Sequence, residues 1–164
     1  MMEPEKTQSA TAISCDPSDE AFRLEDWPLY WITRVSRHYA MDLDRALKRV
    51  GMDLARWRVL MILQQFGPVS VSTIAEHAVI KLPTMTKTIL RMAADGLVTT
   101  SPDKSDRRVT IVAVTELGAK ATSKVRQQAG RLFQTAFSDV TAEESSVMTV
   151  TLKKILSNLT NVPG

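Results

Sequence analysis

The chain has 164 residues, 44% of them apolar, which is long enough for one domain with a hydrophobic core. Its single cysteine, Cys15, excludes a disulfide framework within the chain and a metal site built from several thiolates. No stretch approaches the roughly 20 apolar residues of a membrane span. The N-terminus lacks the apolar core of a signal peptide, so we expect a cytoplasmic protein.

The modest net charge of +3 is unevenly distributed along the chain. Residues 1–26 contain seven acidic and two basic residues, which leaves 19 basic and 11 acidic residues in the rest, a net charge of +8. A basic body suggests a polyanionic partner, although many basic domains are only soluble. Residues 1–24 show no apolar period, and we predict a disordered acidic tail followed by a single domain over residues 25–164.

Four helices are predicted between the tail and residue 96, each bounded by a capping residue or a helix breaker. Asp26 is the expected N-cap of the first, with Pro28 in its first turn and Gly51 at its end. The other three are predicted over residues 54–66, 71–78 and 83–95. The last two are short and separated by a tight turn, which is typical of a helix-turn-helix.

Two segments rich in β-branched residues follow, at residues 97–100 and 109–114, and residues 101–106 between them have turn chemistry. Thr115 then caps a long helix, and residues 141–144 form a capping box for a last helix. The fold class predicted is mainly α (α+β), a winged helix-turn-helix with long terminal helices. A seam at helical spacing marks the last helix, formed by Met148, Leu152, Ile155 and Leu159.

The charged turn between the two strands carries Arg107 and Arg108. A charged hairpin on its own is usually solvated surface. Directly after a helix-turn-helix, however, the hairpin is a wing, and its cations can reach phosphates or a narrow minor groove.

These segments resemble the MarR family of transcriptional regulators. Asp106-Arg107-Arg108 and Val114-Thr115-Glu116-Leu117-Gly118 are similar to the family's wing signature, D-x-R followed by L-T-x-x-G, with Val114 where Leu is more common. Matching segments also occur in order at residues 57–60, 72–75, 84–87 and 95–98, so that the resemblance covers about residues 27–160. It implies a winged helix-turn-helix over residues 53–115 and dimerisation helices over residues 25–51 and 116–160. A homodimer binding a pseudo-palindromic operator, by family habit a repressor, follows from the same resemblance.

A helical wheel separates two faces on the second helix of the helix-turn-helix. Met85, Ile89 and Met92 point inward, and Thr84, Thr86 and Lys87 are candidates for contacts to bases or groove edges, with Arg91 for phosphate. On a strand, Arg107 and Arg108 would point to opposite sides. The resemblance favours Arg108 for the minor groove and Arg107 for phosphate, with Asp106 holding an arginine. The expected DNA-binding residues are Pro83, Thr84, Thr86, Lys87, Arg91, Arg107 and Arg108.

Trp31, Arg34, His38 and Asp42 share one face of the first helix. An aromatic ring, a fixed cation and an imidazole in one row suit an aromatic carboxylate, and the resemblance implies a small phenolic or carboxylate effector. Trp57 on the second helix either lines the same effector cleft, between the dimerisation helices and the winged helix, or is an ordinary residue of the hydrophobic core. The alternative is that Arg34 and His38 make only structural hydrogen bonds.

Other functions are weaker hypotheses. His38 and Asp42 are four residues apart, but with His77 as the one further imidazole we expect no metal and no other cofactor. Some members of the family sense peroxide through a cysteine in the first helix. Cys15 lies about ten residues before that position, in the predicted tail, which argues against a redox role. No catalytic constellation or phosphate loop is present in the sequence, so we expect no enzyme. The main alternative is a winged helix that binds protein instead of DNA, in which the basic residues of the helix and wing would be expendable.

Overall fold

The computed structural model describes residues 15–161. A 3-10 turn, Leu24–Asp26, precedes six helices: α1 Pro28–Lys48, α2 Leu54–Phe66, α3 Val71–Ala78, α4 Leu82–Ala94, α5 Glu116–Ala136 and α6 Ala142–Thr160. Three short strands, β1 Val69–Ser70, β2 Val98–Pro102 and β3 Thr110–Val114, complete the fold and confirm the predicted class. The described residues divide into two units, one ending at Met41 and one beginning at Asp42. The predicted tail falls largely on residues 1–14, which lie outside the described residues.

The start of α1 differs from the prediction. Asp26 lies in the 3-10 turn, and Trp27 separates it from α1, so Asp26 is not the residue that precedes the helix. Its carboxylate lies 3.8 Å from the guanidinium of Arg23, which also pairs with Glu25. The N–H of Trp27 donates to the Leu24 carbonyl, which closes the 3-10 turn before α1 and leaves Asp26 inside it. Pro28 is in the first turn as expected, where its missing N–H costs nothing.

The core of the second unit surrounds α2. Buried side chains lie all round this helix, and they include Trp57, Val59 and Leu63. Around α2 pack the end of α1, α3, α4, the sheet and the first turns of α5. The fully buried side chains of this unit are Leu47, Val59, Leu60, Ile74, Met85, Ile89, Met92, Val98, Val112 and Val125. The predicted inward face of α4 is therefore confirmed at Met85, Ile89 and Met92.

Local capping explains where most of these helices begin. The side chains of Asp53, Ser70 and Thr115 accept hydrogen bonds from backbone N–H groups in the first turns of α2, α3 and α5. Thr141 and Glu144 form the reciprocal capping box of α6. Each of these helix starts was predicted from the sequence.

The sheet is antiparallel, with strand order β1-β3-β2. Strands β2 and β3 pair from Val98 opposite Val114 to Pro102 opposite Thr110, and form the wing hairpin. Strand β1 was not predicted; it is two residues long and pairs Val69 with Val112. The sheet joins the start of α3 to the wing, so the helix-turn-helix and the hairpin are parts of one structural unit.

The terminal helices bury little of their apolar surface within the described chain. On α1, Leu43 and Leu47 are buried, whereas Val35 is 62% exposed. Only the first half of α5 enters the core, through Gly118, Thr122 and Val125, and α6 contributes no buried side chain. Large apolar side chains are therefore exposed along α5 and α6: Phe133, Val147, Met148, Val150, Leu152, Leu156 and Leu159.

Candidate nucleic-acid interface

Helices α3 and α4 form the helix-turn-helix. Ser70 caps α3, and the helix ends at Val79, which adopts a left-handed conformation with φ of 54°. The N–H groups of Val79 and Ile80 donate to the carbonyls of Glu76 and Ala75, each at 3.0 Å. This left-handed residue reverses the chain within a few residues and directs it into α4.

The outward face of α4 contains every DNA-binding residue predicted on that helix. Pro83, Thr84, Thr86, Lys87 and Arg91 are all exposed, opposite the buried Met85 and Ile89. The hydroxyl of Thr86 donates to the Leu82 carbonyl at 2.9 Å, back against its own helix. Leu90 lies on the same face and is 63% exposed. It was not predicted as a functional residue, although the helical wheel groups it with Pro83 and Lys87.

Two aspartates shape the tip of the wing. The Asp103 carboxylate accepts from the N–H and the hydroxyl of Ser105, at 2.8 Å and 2.5 Å, and from the N–H of Asp106 at 3.1 Å. These hydrogen bonds, with the Ser105 hydroxyl as the largest cause, lower the pKa of Asp103. The carboxylate thus holds the turn closed from within.

Arg108 and Asp106 form a two-point ion pair at this tip. Nε and Nη2 of Arg108 each donate to one carboxylate oxygen of Asp106, both at 3.1 Å, and the backbone N–H of Arg108 donates at 3.0 Å. The Arg108 hydrogen bonds, its side chain first, lower the pKa of Asp106. The Arg108 side chain is nonetheless 91% exposed, so its charge remains available to a partner.

The structure contradicts the prediction that Arg107 and Arg108 are neighbours on a strand, with side chains on opposite faces. Both residues lie in the turn before β3, which begins at Thr110. Because the Asp103 and Asp106 hydrogen bonds curl this segment, strand alternation does not govern the two arginines.

Arg91 stands on the rim of a cavity of about 320 Å³ in the second unit. The cavity is lined by residues from the last turns of α1, from the start of α2 and from α4: Asp44, Asp53, Leu54, Ala55, Arg56, Thr88 and Arg91. Nearby, Arg56 pairs with Asp95 at the end of α4 at 2.8 Å. This ion pair ties the C-terminal end of α4 to the start of α2, and thereby fixes the helix that carries the outward face.

The residues predicted to bind an effector lie in different surroundings. Trp31 is 50% exposed and its Nε1 donates to the Glu25 carbonyl at 2.7 Å. The guanidinium of Arg34 lies 5.3 Å from the ring centroid of Tyr30, and His38 is exposed. Trp57, by contrast, is 9% exposed in the core around α2. The packing of Trp57 favours the plain-core alternative for that residue.

Within residues 15–161 no group of three His, Cys, Asp or Glu side chains is placed to hold a metal ion, and Asp42 pairs with Arg45. Cys15 is exposed. No helix in the same part of the chain is long and apolar enough to cross a membrane.

A helix-turn-helix followed directly by a β-hairpin with exposed arginines defines a winged-helix protein of the DNA-binding class. The profile of the MarR family matches residues 52–110. The chain is 40% identical over 144 residues to an HTH-type transcriptional repressor, IacR, of Pseudomonas putida, covering 88% of this chain and 86% of that protein. The chain belongs to the MarR family of transcriptional regulators.

Solved structures agree with this assignment. A MarR-family regulator from Silicibacter pomeroyi superposes with a TM-score of 0.76 at 25% identity, covering 83% of this chain and 92% of that one. A cysteine-to-serine mutant of MarR from Escherichia coli, in complex with operator DNA, superposes with a TM-score of 0.70 at 25% identity. The match covers 80% of this chain and 96% of the E. coli chain.

Proposed function

We propose that this protein is a ligand-responsive repressor that binds a pseudo-palindromic operator as a homodimer. The observation that carries the proposal is the exposed Arg108 at the tip of the wing, held by Asp106 and following a helix with exposed Lys87 and Arg91. Helix α4 enters the major groove, with Thr84, Thr86 and Lys87 towards base edges and Arg91 towards phosphate. The wing places Arg108 in the minor groove and Arg107 near the backbone.

The exposed apolar surface of α5 and α6 supports a dimer. Met148, Leu152 and Leu159 lie at helical spacing on one side of α6 and are 44%, 37% and 63% exposed in the single chain. Soluble proteins rarely leave such a stripe in water, because its burial is favourable. A second copy covers it and brings two copies of α4 to successive major grooves.

The relevant test is DNA binding by two arginine variants. A duplex is selected from a random pool by the wild-type protein, and its dissociation constant is measured by fluorescence anisotropy at several salt concentrations. Arg108→Ala is expected to weaken binding to the selected duplex by about 1–3 kcal/mol. Arg91→Ala is expected to weaken binding to all sequences alike and to reduce the salt slope by about one. Unchanged affinity and salt slope in both variants would favour the protein-interaction module instead.

For the response to ligand, we propose that a small aromatic carboxylate binds near Trp31, Arg34 and His38. The exposed guanidinium of Arg34 supplies the charge and the indole of Trp31 the apolar contact. A ligand that prefers a state in which the two copies of α4 are wrongly spaced lowers DNA affinity by its differential binding, and DNA lowers ligand affinity equally. A tenfold release requires only about 1.4 kcal/mol of coupling.

The ligand proposal is tested by a thermal-shift screen of aromatic acids on wild type and Arg34→Ala. An acid that raises the unfolding temperature of the wild type alone supports Arg34 as the anchor. Equal stabilisation of both proteins removes Arg34 from the site, and a screen without any stabilising acid argues against the sensing mechanism. The DNA-binding proposal is independent of this result.

The same proposal includes two further points. The protein acts on transcription by occupying DNA and has no catalytic step, in keeping with its relatedness to a transcriptional repressor. Because its proposed partner is operator DNA, we propose the cytoplasm as its place of action.

A further inference from the structure

The outward stripe of α4 is strongly apolar for a surface that faces DNA. The stripe consists of Pro83, Lys87, Leu90 and Ala94, which follow one another at intervals of four, three and four residues and so lie on one face of the helix. Leu90 lies in the middle of this stripe and is 63% exposed. Between residues 82 and 90, Lys87 is the one charged side chain in the sequence.

The threonines of α4 add methyl groups to this surface and withhold hydrogen-bond donors. The hydroxyl of Thr86 donates to the Leu82 carbonyl at 2.9 Å, and that of Thr88 donates to the Thr84 carbonyl at 3.1 Å. Each hydroxyl proton is therefore engaged within the helix. Exposed Thr86 therefore has a γ-methyl group but no free hydroxyl proton to offer to a base.

We propose that Leu90 is a specificity-determining residue, which packs with the Thr86 γ-methyl group against thymine 5-methyl groups in the major groove. Thymine is the one natural base that presents a methyl group there. Contact between methyl groups removes apolar surface of both partners from water, which is favourable without any hydrogen bond. This inference rests on the proposed function, and it makes methyl groups part of the sequence code that the protein reads.

The charges around Leu90 argue for DNA as the occupant of this surface. Lys87 and Arg91 are both exposed close to Leu90, one helical turn back and one residue on. An apolar side chain beside cations suits the major groove, where base methyl groups lie close to phosphates. An apolar protein surface would leave both cations without anionic partners.

The test removes single methyl groups from DNA. In the duplex that wild-type protein selects from a random pool, each thymine is replaced in turn by deoxyuridine, which keeps every hydrogen-bonding group. At contacted thymines, wild-type affinity is expected to fall about fourfold, the equivalent of roughly 0.8 kcal/mol for one methyl-sized group. In Leu90→Ala, and in the longer polar variant Leu90→Gln, this loss should vanish at one or more of the same thymines.

Lys87→Ala is the matched control on the same face. It should lower affinity and the salt slope while it retains the deoxyuridine effect at the thymines that Leu90 contacts. Thermal unfolding of each variant checks its fold; because Leu90 is exposed, the midpoint should move by no more than about 2 °C.

Two results would overturn the inference in distinguishable ways. If the selected duplex binds tightly and every deoxyuridine substitution affects wild type and the Leu90 variants equally, DNA binding stands and methyl reading by Leu90 is wrong. If wild-type protein enriches no duplex at all from the pool, the proposed function itself fails, and this inference fails with it.

Discussion

Arg108 combines two features that usually exclude each other. A side chain that is 91% exposed is normally free to adopt many rotamers, yet here both ends of its guanidinium fork are held by Asp106. The pair reduces the conformational entropy that Arg108 would lose on entering a groove. The Asp106 carboxylate is itself unsuited to face phosphate, so its role is to position the arginine.

The strength of this pair is measurable in the free protein. Asp106 has a lowered pKa, with the Arg108 side chain as the largest cause, so the pair persists above the ordinary pKa of an aspartate and is lost as pH falls through the lowered value. In Arg108→Ala we expect the pKa of Asp106 to rise towards its ordinary value. Carboxyl carbon shifts followed by NMR across an acid titration check this, with Asp103 as the control because Ser105 is the main cause of its shift.

Gly118 gives the wing signature a structural reason. The Thr115 hydroxyl donates to the Gly96 carbonyl at 2.6 Å and accepts from the Gly118 N–H at 3.0 Å, which joins α5 to the chain just before β2. A β-carbon at Gly118 would lie 2.8 Å from Cγ2 of Val114 and closer still to the carbonyl oxygen of Leu97. Only a glycine permits this approach of α5 to the sheet.

We therefore expect Gly118→Ala to lower the free energy of unfolding by about 1–3 kcal/mol, because a backbone carbonyl cannot move aside cheaply. Gly130→Ala, in the same helix, is the matched control. A β-carbon there meets nothing within 4 Å, so the change should stabilise the protein by up to about 1 kcal/mol. Urea denaturation of both variants measures the difference; equal effects would contradict the close-approach account.

At the scale of the element, the sequence predicted helices better than strands. Asp53, Ser70 and Thr115 mark helix starts through hydrogen bonds to residues three positions away, so the signal is local. Strand β1 has no such signal. Val69 and Ser70 are a strand because they pair with β3, more than 40 residues along the chain.

Within the candidate site, too, the sequence predicted one part, the outward face of α4, and not the other, the tip of the wing. The helical period separates the buried and exposed faces of α4, and the exposed face includes every predicted contact on that helix. The wing tip was misjudged, because the hydrogen bonds of Asp103 and Asp106 turn Arg107 and Arg108 out of the strand. The alternation of side chains along a strand, on which the prediction relied, carries no information about hydrogen bonds of this kind.

Helix α6 is the element on which the proposed dimer depends. Leu152 lies in its apolar seam, and the described part of the chain buries no side chain of α6. We expect Leu152→Glu to shift the protein from dimer to monomer, because a carboxylate cannot be buried unpaired against a second copy. Sedimentation velocity measures the mass. Ser157→Glu, on the opposite side of α6, should remain dimeric; dissociation of both variants, or of neither, would contradict an interface centred on this seam.

At the scale of the whole molecule, the terminal helices and the winged helix have separate tasks. The winged helix contains most of the buried side chains, and Leu43, Leu47 and Val125 of the terminal helices complete that core. We propose that the exposed apolar surface of the terminal helices binds a second copy. On this account, the dimer sets the distance between two copies of α4, and a ligand acts by changing that distance and not by covering the reading residues.

The most direct test of this account changes the spacing of the operator. Insertion of five base pairs between the half-sites of the selected duplex moves one half-site to the opposite side of the DNA, about half a helical turn away. Fluorescence anisotropy should then give an affinity no higher than that for a single half-site, and insertion of ten base pairs should restore part of the lost affinity. Affinity that is unchanged by the five-base-pair insertion would contradict a two-fold regulator whose dimer sets the spacing of its reading helices.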